Sequence, residues 1–269
     1  LYEVALSTMW GADQNRPFNE TFIAAQQLGF TCFELTNKVT PALYQQWDHN
    51  RFYIATVHDP CPSELSYAEL KKQDIAISSL DEKRRQLSLD SLKQSIELAQ
   101  SLGSKSVVIH CGTVLCDHSR DKRLREMYNQ GRQSSATYMF LRDEFIADRA
   151  AYAGPHLEQV IKSLQEIIAF SRGSHVALAL ENRNRYFDIP LPDELALFLD
   201  LCSEAWFGFQ YDVGHAHNQD VLGTVPHSAW IPRFTSRMIG VHLHDVKGIE
   251  DHLVPGRGEI DFTRIAEHI

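Results

Sequence analysis

Short apolar runs alternate with longer stretches of helical periodicity along this chain. The runs are rich in β-branched and aromatic residues, so we predict a strand for each. The predicted strands lie at residues 4–6, 31–35, 52–57, 106–109, 176–180, 207–211 and 238–243. Apolar residues recur at helical spacing in residues 22–28, 81–102, 156–171, 193–202 and 262–269. Strands that alternate with helices in this way predict parallel β-α-β units.

The number of these units favours a barrel over an open sheet. An open doubly wound sheet usually carries a glycine-rich phosphate turn after its first strand, and neither GxGxxG nor GxxxxGK[ST] occurs in this sequence. We therefore predict an α/β fold, a TIM (β/α)8 barrel, in one domain over residues 1–269. We expect its eighth strand and helix to follow Ile269, outside this sequence. The reason is that a seven-stranded open barrel would expose a flat parallel edge, which is prone to association. A homo-oligomer is left open.

One connection between a predicted strand and the next helix is unusually long and charged. It covers residues 113–154 and includes the clusters at 117–126 and 142–149. Long connections inside a compact domain are often lids or binding segments. A solvated helical insertion is an equally good interpretation of the charge.

Composition narrows the class of protein and of partner. The 269 residues are 43% hydrophobic and carry a net charge of −9, which is typical of a globular chain and makes a nucleic-acid partner unlikely. None of the five cysteines forms a CxxC pair, and no apolar stretch reaches the length of a membrane span. We expect a cytoplasmic protein without a membrane partner.

Three predicted strands end in groups that bind metals. Glu181 closes the fifth apolar run, Asp212 closes the sixth, and His242 stands at the end of the seventh. Carboxylate and imidazole groups bind Zn²⁺ and related divalent ions. A buried carboxylate satisfied by an arginine or by backbone amides would explain Glu181 or Asp212 alone equally well. The repetition at successive strand ends favours a metal site.

Further histidines follow or accompany these strand ends. His215 comes three residues after Asp212, and we expect Gly214 to form a sharp turn that brings it over the barrel mouth. His242 and His244 alternate with Leu243 and should share one strand face. A single histidine of this kind is more often a satisfied core residue than a ligand.

Several other polar residues are candidates for the same site. His58 and His110 end the third and fourth strands, and Glu250 and His252 lie in a loop after the seventh. Arginine offers planar bidentate donors that could hold a phosphate or a hydroxyl-rich tail, although surface ion pairing is an equally good explanation. The candidate arginines are Arg183, Arg185 and Arg257.

The chain resembles the xylose isomerase-like TIM-barrel superfamily. The resemblance rests on Glu181-Asn182, Asp212-Val-Gly-His215, Val241-His242-Leu-His-Asp245 and the segment 252–262. Among the sugar isomerases and epimerases it implies one divalent metal, held by Glu181, Asp212, His242 and a strand-eight glutamate beyond this sequence. It also implies that His215 contacts substrate. The endonuclease IV branch implies up to three metals. The candidates for further ligands are His58, His110, His215, Glu250 and His252.

The resemblance implies two enzymatic functions. The first is an isomerase or epimerase of a small sugar, polyol or sugar phosphate, which would use one Zn, Mn, Mg or Co ion to stabilise an enediolate while Glu181 moves the proton. In it, His215 would be catalytic, and His244 and the three arginines would bind substrate. The alternative is a multi-zinc phosphodiesterase. A third possibility is a barrel that binds a metal or sugar without turnover.

Overall fold

Seven parallel strands form one curved sheet in sequence order. The structure, a computed structural model, describes residues 3–10, 17–48 and 51–269. The strands are β1 (Ala5–Ser7), β2 (Cys32–Leu35), β3 (Tyr53–His58), β4 (Ser106–Ile109), β5 (Ala177–Glu181), β6 (Phe207–Asp212) and β7 (Met238–His242), each paired with the next. Every predicted strand is present, with its ends within one residue of the prediction.

The sheet curls strongly, as a contact between distant strands shows. His242 Nε2 of β7 lies 3.0 Å from Glu34 Oε2 of β2. In a flat sheet the five intervening strand spacings would hold these positions about 24 Å apart. The carboxyl ends of β2 and β7 therefore face each other across a barrel-like interior. The eighth strand stays a prediction.

Helices cover the outside of the sheet. They are α1 (Phe18–Gln27), α2 (Pro41–Gln46), α3 (Tyr67–Lys72), α4 (Glu82–Leu102), α5 (Ser119–Asn129), α6 (Ala136–Ser171), α7 (Pro192–Leu199), α8 (Val213–Val221) and α9 (Phe262–Ala266). In α4, the Asp81 side chain caps the first turn, and Leu89, Leu92 and Ile96 form a buried face at helical spacing. Among the described residues, no helix combines the length and apolar character needed to cross a membrane.

The predicted insertion is helical, and one of its boundaries differs from the prediction. Residues 113–154 contain α5 and the first half of α6, which begins at Ala136 rather than at His156. Pro155 ends a helix in the usual sequence pattern, but α6 continues through it. In a regular helix the Ala151 carbonyl would accept a hydrogen bond from the N–H of residue 155, but proline has no N–H. Ala151 is exposed, so water can donate a hydrogen bond to this carbonyl instead.

A short hairpin follows the last strand of the sheet. It consists of β8 (Asp245–Lys247) and β9 (Glu250–Leu253), which pair in antiparallel register. The alternation of strands and helices did not predict this hairpin, because each of its strands is too short to show a period. It lies beside α8 and brings residues 244–252 back toward the barrel mouth.

Candidate metal centre

Three predicted ligands meet at the carboxyl ends of β5, β6 and β7. His242 Nδ1 lies 2.7 Å from Glu181 Oε1 and 3.6 Å from Asp212 Oδ2. One ligand atom from each residue falls within 4.8 Å of the others. Glu181 and Asp212 are only 1% and 2% exposed. Parallel register explains the meeting, because Asp212 is the direct cross-strand partner of His242.

A second candidate cluster shares Glu181 with the first. It consists of His58, His110 and Glu181, whose ligand atoms also lie within 4.8 Å of one another. His110 Nε2 is 2.6 Å from Glu181 Oε2, and His58 Nε2 is 3.9 Å from the same oxygen. The strand-three and strand-four histidines therefore converge on the site, as their positions at strand ends predict.

Glu34 is a site residue that the sequence analysis missed. It lies on the buried strand β2, and its Oε2 is 3.0 Å from His242 Nε2, on the ring edge opposite Glu181. The signal was present in the sequence, because Glu34 is a carboxylate inside the apolar run 31–35. Only the curl of the sheet, which brings β2 to β7, shows what this carboxylate contacts.

The charges of the cluster stabilise one another in the absence of a metal ion. Burial by itself would lower the pKa of His242, but Glu34, Asp212 and Glu181 outweigh it and raise the pKa well above 6.5. Burial would likewise raise the pKa of both carboxyl groups. Arg183 and His110 instead hold the pKa of Glu181 well below its usual range, and His215 and His244 do so for Asp212. The cluster thus contains ionised carboxylates around a protonated imidazole.

His215 and His244 flank Asp212 on its other sides. Asp212 caps α8 by accepting a hydrogen bond from the backbone of His215, and His244 Nε2 lies 3.0 Å from Asp212 Oδ1. His215 Nδ1 donates to the carbonyl of Asn182 at 2.9 Å, which leaves Nε2 of the neutral ring as an acceptor. Burial lowers the pKa of His215, so this ring is neutral near pH 7.

The predicted turn at Gly214 is wrong. Gly214 lies in the first turn of α8, and its backbone is helical. A Cβ at this position would overlap the His244 ring, so the glycine allows helix α8 and His244 to approach closely. The sequence pattern located the right residue but not its role, because a close approach between distant segments leaves no local signal.

The loop after β7 brings different residues to the site from those expected. Glu250 is exposed on β9, whereas the next residue, Asp251, accepts hydrogen bonds from Asn218 at 3.0 Å and from Asn184. His252 stacks on His244 with ring centroids 4.4 Å apart but keeps 58% of its side chain exposed. The hairpin alternates its side chains between two faces, and its register turns Asp251 rather than Glu250 toward Asn184 and Asn218.

The three candidate arginines occupy different environments. Arg183 contacts both Glu181 and His110. Arg185 pairs with Asp121 of α5 at 2.7 Å and is 40% exposed, so it joins the insertion to the β5 loop. Arg257 is exposed in the loop that follows β9. Of the three, Arg183 is the one in contact with the candidate ligands.

The cluster of Glu181, Asp212 and His242 fits a divalent cation. Tetrahedral ligands about 2.0–2.2 Å from Zn²⁺ would place neighbouring donor atoms about 3.3 Å apart. The separations of 2.7 and 3.6 Å from His242 Nδ1 lie on either side of that value. Two buried carboxylates beside an imidazole form a donor set for Zn, Mn or Co. Metal binding would replace the proton that His242 carries in the free protein.

A cleft lies on the side of His110 and Arg183, away from Asp212 and His242. Its wall also includes Tyr67, Lys71 and Asp188. Lys71 Nζ pairs with Asp188 Oδ1 at 2.8 Å. The Tyr67 ring meets His110 edge-on, with centroids 4.5 Å apart. The cleft therefore offers an aromatic ring and both hydrogen-bond donors and acceptors beside His110, a candidate ligand of the second cluster.

Other proteins resemble this chain in fold or in sequence. A D-tagatose 3-epimerase-like protein superposes with a TM-score of 0.68 at 18% identity, over 99% of this chain and 85% of that one. The 3-keto-D-glucoside 4-epimerase YcjR from E. coli gives 0.63 at 16% identity, over 100% and 87%. An uncharacterised protein of Methanocaldococcus jannaschii, MJ1311, is 22% identical over 199 residues, which cover 73% of this chain and 57% of that protein. The chain thus spans little more than half of that relative.

A family model shows to which family the chain belongs, which these distant similarities alone do not. The model of the xylose isomerase-like TIM barrel matches residues 22–269, a span that includes β2 to β7 and every candidate ligand discussed above. The predicted α/β barrel and the predicted resemblance are both confirmed. With its candidate ligands gathered at the carboxyl ends of the strands, as in TIM-barrel enzymes, this chain belongs to the xylose isomerase-like TIM-barrel family.

Proposed function

We propose that this protein is a divalent-metal-dependent epimerase or isomerase of a small sugar, polyol or sugar phosphate. The observation that carries the proposal is the buried cluster of Glu181, Asp212 and His242 at the carboxyl ends of three neighbouring strands. Sugar epimerases are among the proteins of similar fold, which supports the same class of substrate here. We propose Zn, Mn, Mg or Co as the metal, and one ion as its number.

Glu181, Asp212 and His242 would hold the ion. Such an ion supplies Lewis-acid polarisation of a carbonyl and its neighbouring hydroxyl. Glu181 is the proposed base: its carboxylate is ionised and would accept a proton from the carbon next to the carbonyl. His215 offers a neutral Nε2 acceptor to a substrate hydroxyl. His244 and Arg183 are the proposed further substrate contacts.

Deuterium exchange tests this proposal without knowledge of the exact substrate. The metal-loaded protein is incubated in D₂O with a panel of ketoses and ketose phosphates, and NMR follows the carbon-bound proton next to the carbonyl. We expect exchange with at least one of them. Glu181→Gln should slow that exchange at least about 100-fold, the usual range for loss of a general base.

Glu250→Gln is the matched control, because Glu250 is an exposed glutamate on the nearby hairpin. This variant should exchange at the wild-type rate. The proposal is wrong if the metal-loaded wild type exchanges no proton of any sugar in the panel, or if Glu181→Gln exchanges as fast as the wild type.

A multi-metal phosphodiesterase is the second candidate, and one observation favours it. The cluster of His58, His110 and Glu181 adjoins the first cluster, and two neighbouring ions can clamp a phosphate during in-line displacement. Hydrolysis of bis(p-nitrophenyl) phosphate by the metal-loaded protein, with no exchange of sugar protons, would establish this function in place of the first.

A further inference from the structure

Arg183 lies on the atoms that a second metal ion would need. Its Nη1 contacts both His110 Nε2 and Glu181 Oε2. These are the same two atoms that approach each other at 2.6 Å in the second candidate cluster, with His58 Nε2 at 3.9 Å from the carboxylate. The guanidinium therefore contacts the same two ligand atoms that a metal ion in that cluster would bind.

Neighbouring residues hold Arg183 in this position. Its guanidinium lies over the Tyr67 ring, with Cζ 5.6 Å from the centroid, which is within the range of a cation–π contact. The amide of Gln219 donates to the Arg183 carbonyl at 2.6 Å and fixes the backbone. Only 15% of the Arg183 side chain is exposed, so it has little freedom to leave for solvent.

We propose that Arg183 acts as a built-in cation of the His58/His110/Glu181 cluster and excludes a metal ion from it. This inference rests on the proposed function, because it takes Glu181, Asp212 and His242 as the metal site. An arginine stays protonated at any accessible pH. Its charge would repel a divalent ion at contact distance, and its N–H groups occupy the lone pairs that the ion would need.

The exclusion has a consequence for the reaction. Proton transfer next to a carbonyl needs one Lewis acid, whereas the two-ion clamp on a phosphate needs a second ion next to the first. By filling the second cluster, Arg183 would restrict the site to the one-metal reaction. It thereby distinguishes the proposed epimerase from the phosphodiesterase.

Metal titrations of the stripped protein test the exclusion. Zn²⁺ and Mn²⁺ binding is measured by calorimetry, and the bound metal is counted after gel filtration. If Arg183 blocks the second cluster, only the first cluster is open to metal, and the wild type should bind about one ion per chain. Arg183→Met opens the second cluster and should bind about two ions. The control Arg185→Met, which removes an arginine paired with Asp121 away from the ligands, should still bind about one.

Two further variants identify which cluster binds and remain informative if Arg183→Met does not fold. Asp212 belongs only to the first cluster and His110 only to the second. Asp212→Asn should abolish binding, and His110→Ala should leave the count at the wild-type value. The inference is overturned if the wild type binds two ions, if His110→Ala lowers the count, or if folded Arg183→Met still binds one.

These counts are independent of the proposed reaction. A wild-type protein that binds one ion, gains a second in Arg183→Met and yet exchanges no sugar proton would uphold the exclusion and reject the epimerase. Exchange by a protein with two bound ions would uphold the epimerase and reject the exclusion.

Discussion

His242 lies between carboxylates that contact its two ring nitrogens. Its Nδ1 faces Glu181 and Asp212, and its Nε2 faces Glu34. If Nδ1 binds the ion, Glu34 accepts the hydrogen bond from the opposite nitrogen, which fixes the ring orientation and raises the basicity of the ligand. Glu34 is then a positioning residue for the metal site rather than a ligand.

Replacing Glu34 by Gln tests this role. The amide oxygen can still accept a hydrogen bond from His242 Nε2, but the negative charge is lost. We expect Zn²⁺ or Mn²⁺ affinity, measured by calorimetry, to fall about 10–100-fold, the usual cost of losing a group that supports a metal ligand. The circular dichroism spectrum should stay unchanged. An affinity equal to that of the wild type would show that Glu34 serves only to fill the core.

At the scale of elements, Asp245 organises the loop that leads from β9 toward α9. Its two carboxylate oxygens accept hydrogen bonds from the backbone N–H groups of Val246, Gly256, Gly258 and Ile260 at 2.7–3.0 Å. Burial by itself would raise the pKa of Asp245, but these four bonds outweigh it and lower the pKa to about 2. The Asp245 carboxylate therefore holds the backbone of this loop in place and does not serve as a further metal ligand.

Asp245→Asn should destabilise the protein in a pH-dependent way. Because the pKa is lower in the folded state, the carboxylate stabilises that state above its ordinary pKa of 3.8, and the contribution disappears as the pH falls toward 2. We expect the variant to lose about 2 kcal/mol of unfolding free energy near pH 7, from the size of this shift. Urea unfolding at several pH values measures the difference, which should shrink below about pH 4. A difference independent of pH would contradict this explanation.

Local patterns in the sequence predict the elements of this fold well and their contacts less well. The apolar runs predicted all seven strands of the sheet, because buried parallel strands are continuous in sequence. The start of α6 differs from the prediction, because a proline usually ends or kinks a helix, whereas α6 continues through Pro155. The choice of Asp251 over Glu250 depends on the register of a hairpin whose strands have only three and four residues.

The residues of the site also differ in how far local sequence patterns predict their contacts. Glu181, Asp212 and His242 were predicted to meet because neighbouring parallel strands end at the same edge. Glu34 meets His242 only because the whole sheet curls, which no local pattern encodes. Arg183 was selected for its donors to substrate, and its contact with His110 depends on the position of β4.

On the scale of the whole molecule, the metal site joins strands that are far apart in sequence. Glu181, Asp212 and His242 come from three consecutive strands, and Glu34 adds β2 on the opposite side of the curl. In the free protein, the proton on His242 balances part of the negative charge of the carboxylates. A bound divalent ion would balance more of it, so metal binding and the stability of the barrel should be linked.

The stability gained from metal should therefore increase with pH. The pKa of His242 is raised in the folded, metal-free protein, so its stabilising contribution is present at low pH and is lost as the pH rises through the folded pKa. A metal ion does not need that proton and competes with it. With metal at about 100 times its dissociation constant, the gain is about 2.7 kcal/mol, or roughly 5–10 °C in melting temperature for a domain of this size.

Melting curves with and without Mn²⁺, recorded from slightly acidic to alkaline pH, test this linkage as the pH rises through the raised pKa of His242. The shift in melting temperature should be small at the acid end and reach its full size at the alkaline end. Asp212→Asn should show no shift at any pH, because it removes a ligand. A shift of the same size throughout the range would mean that the metal does not displace the proton of His242, and so that His242 is not its ligand.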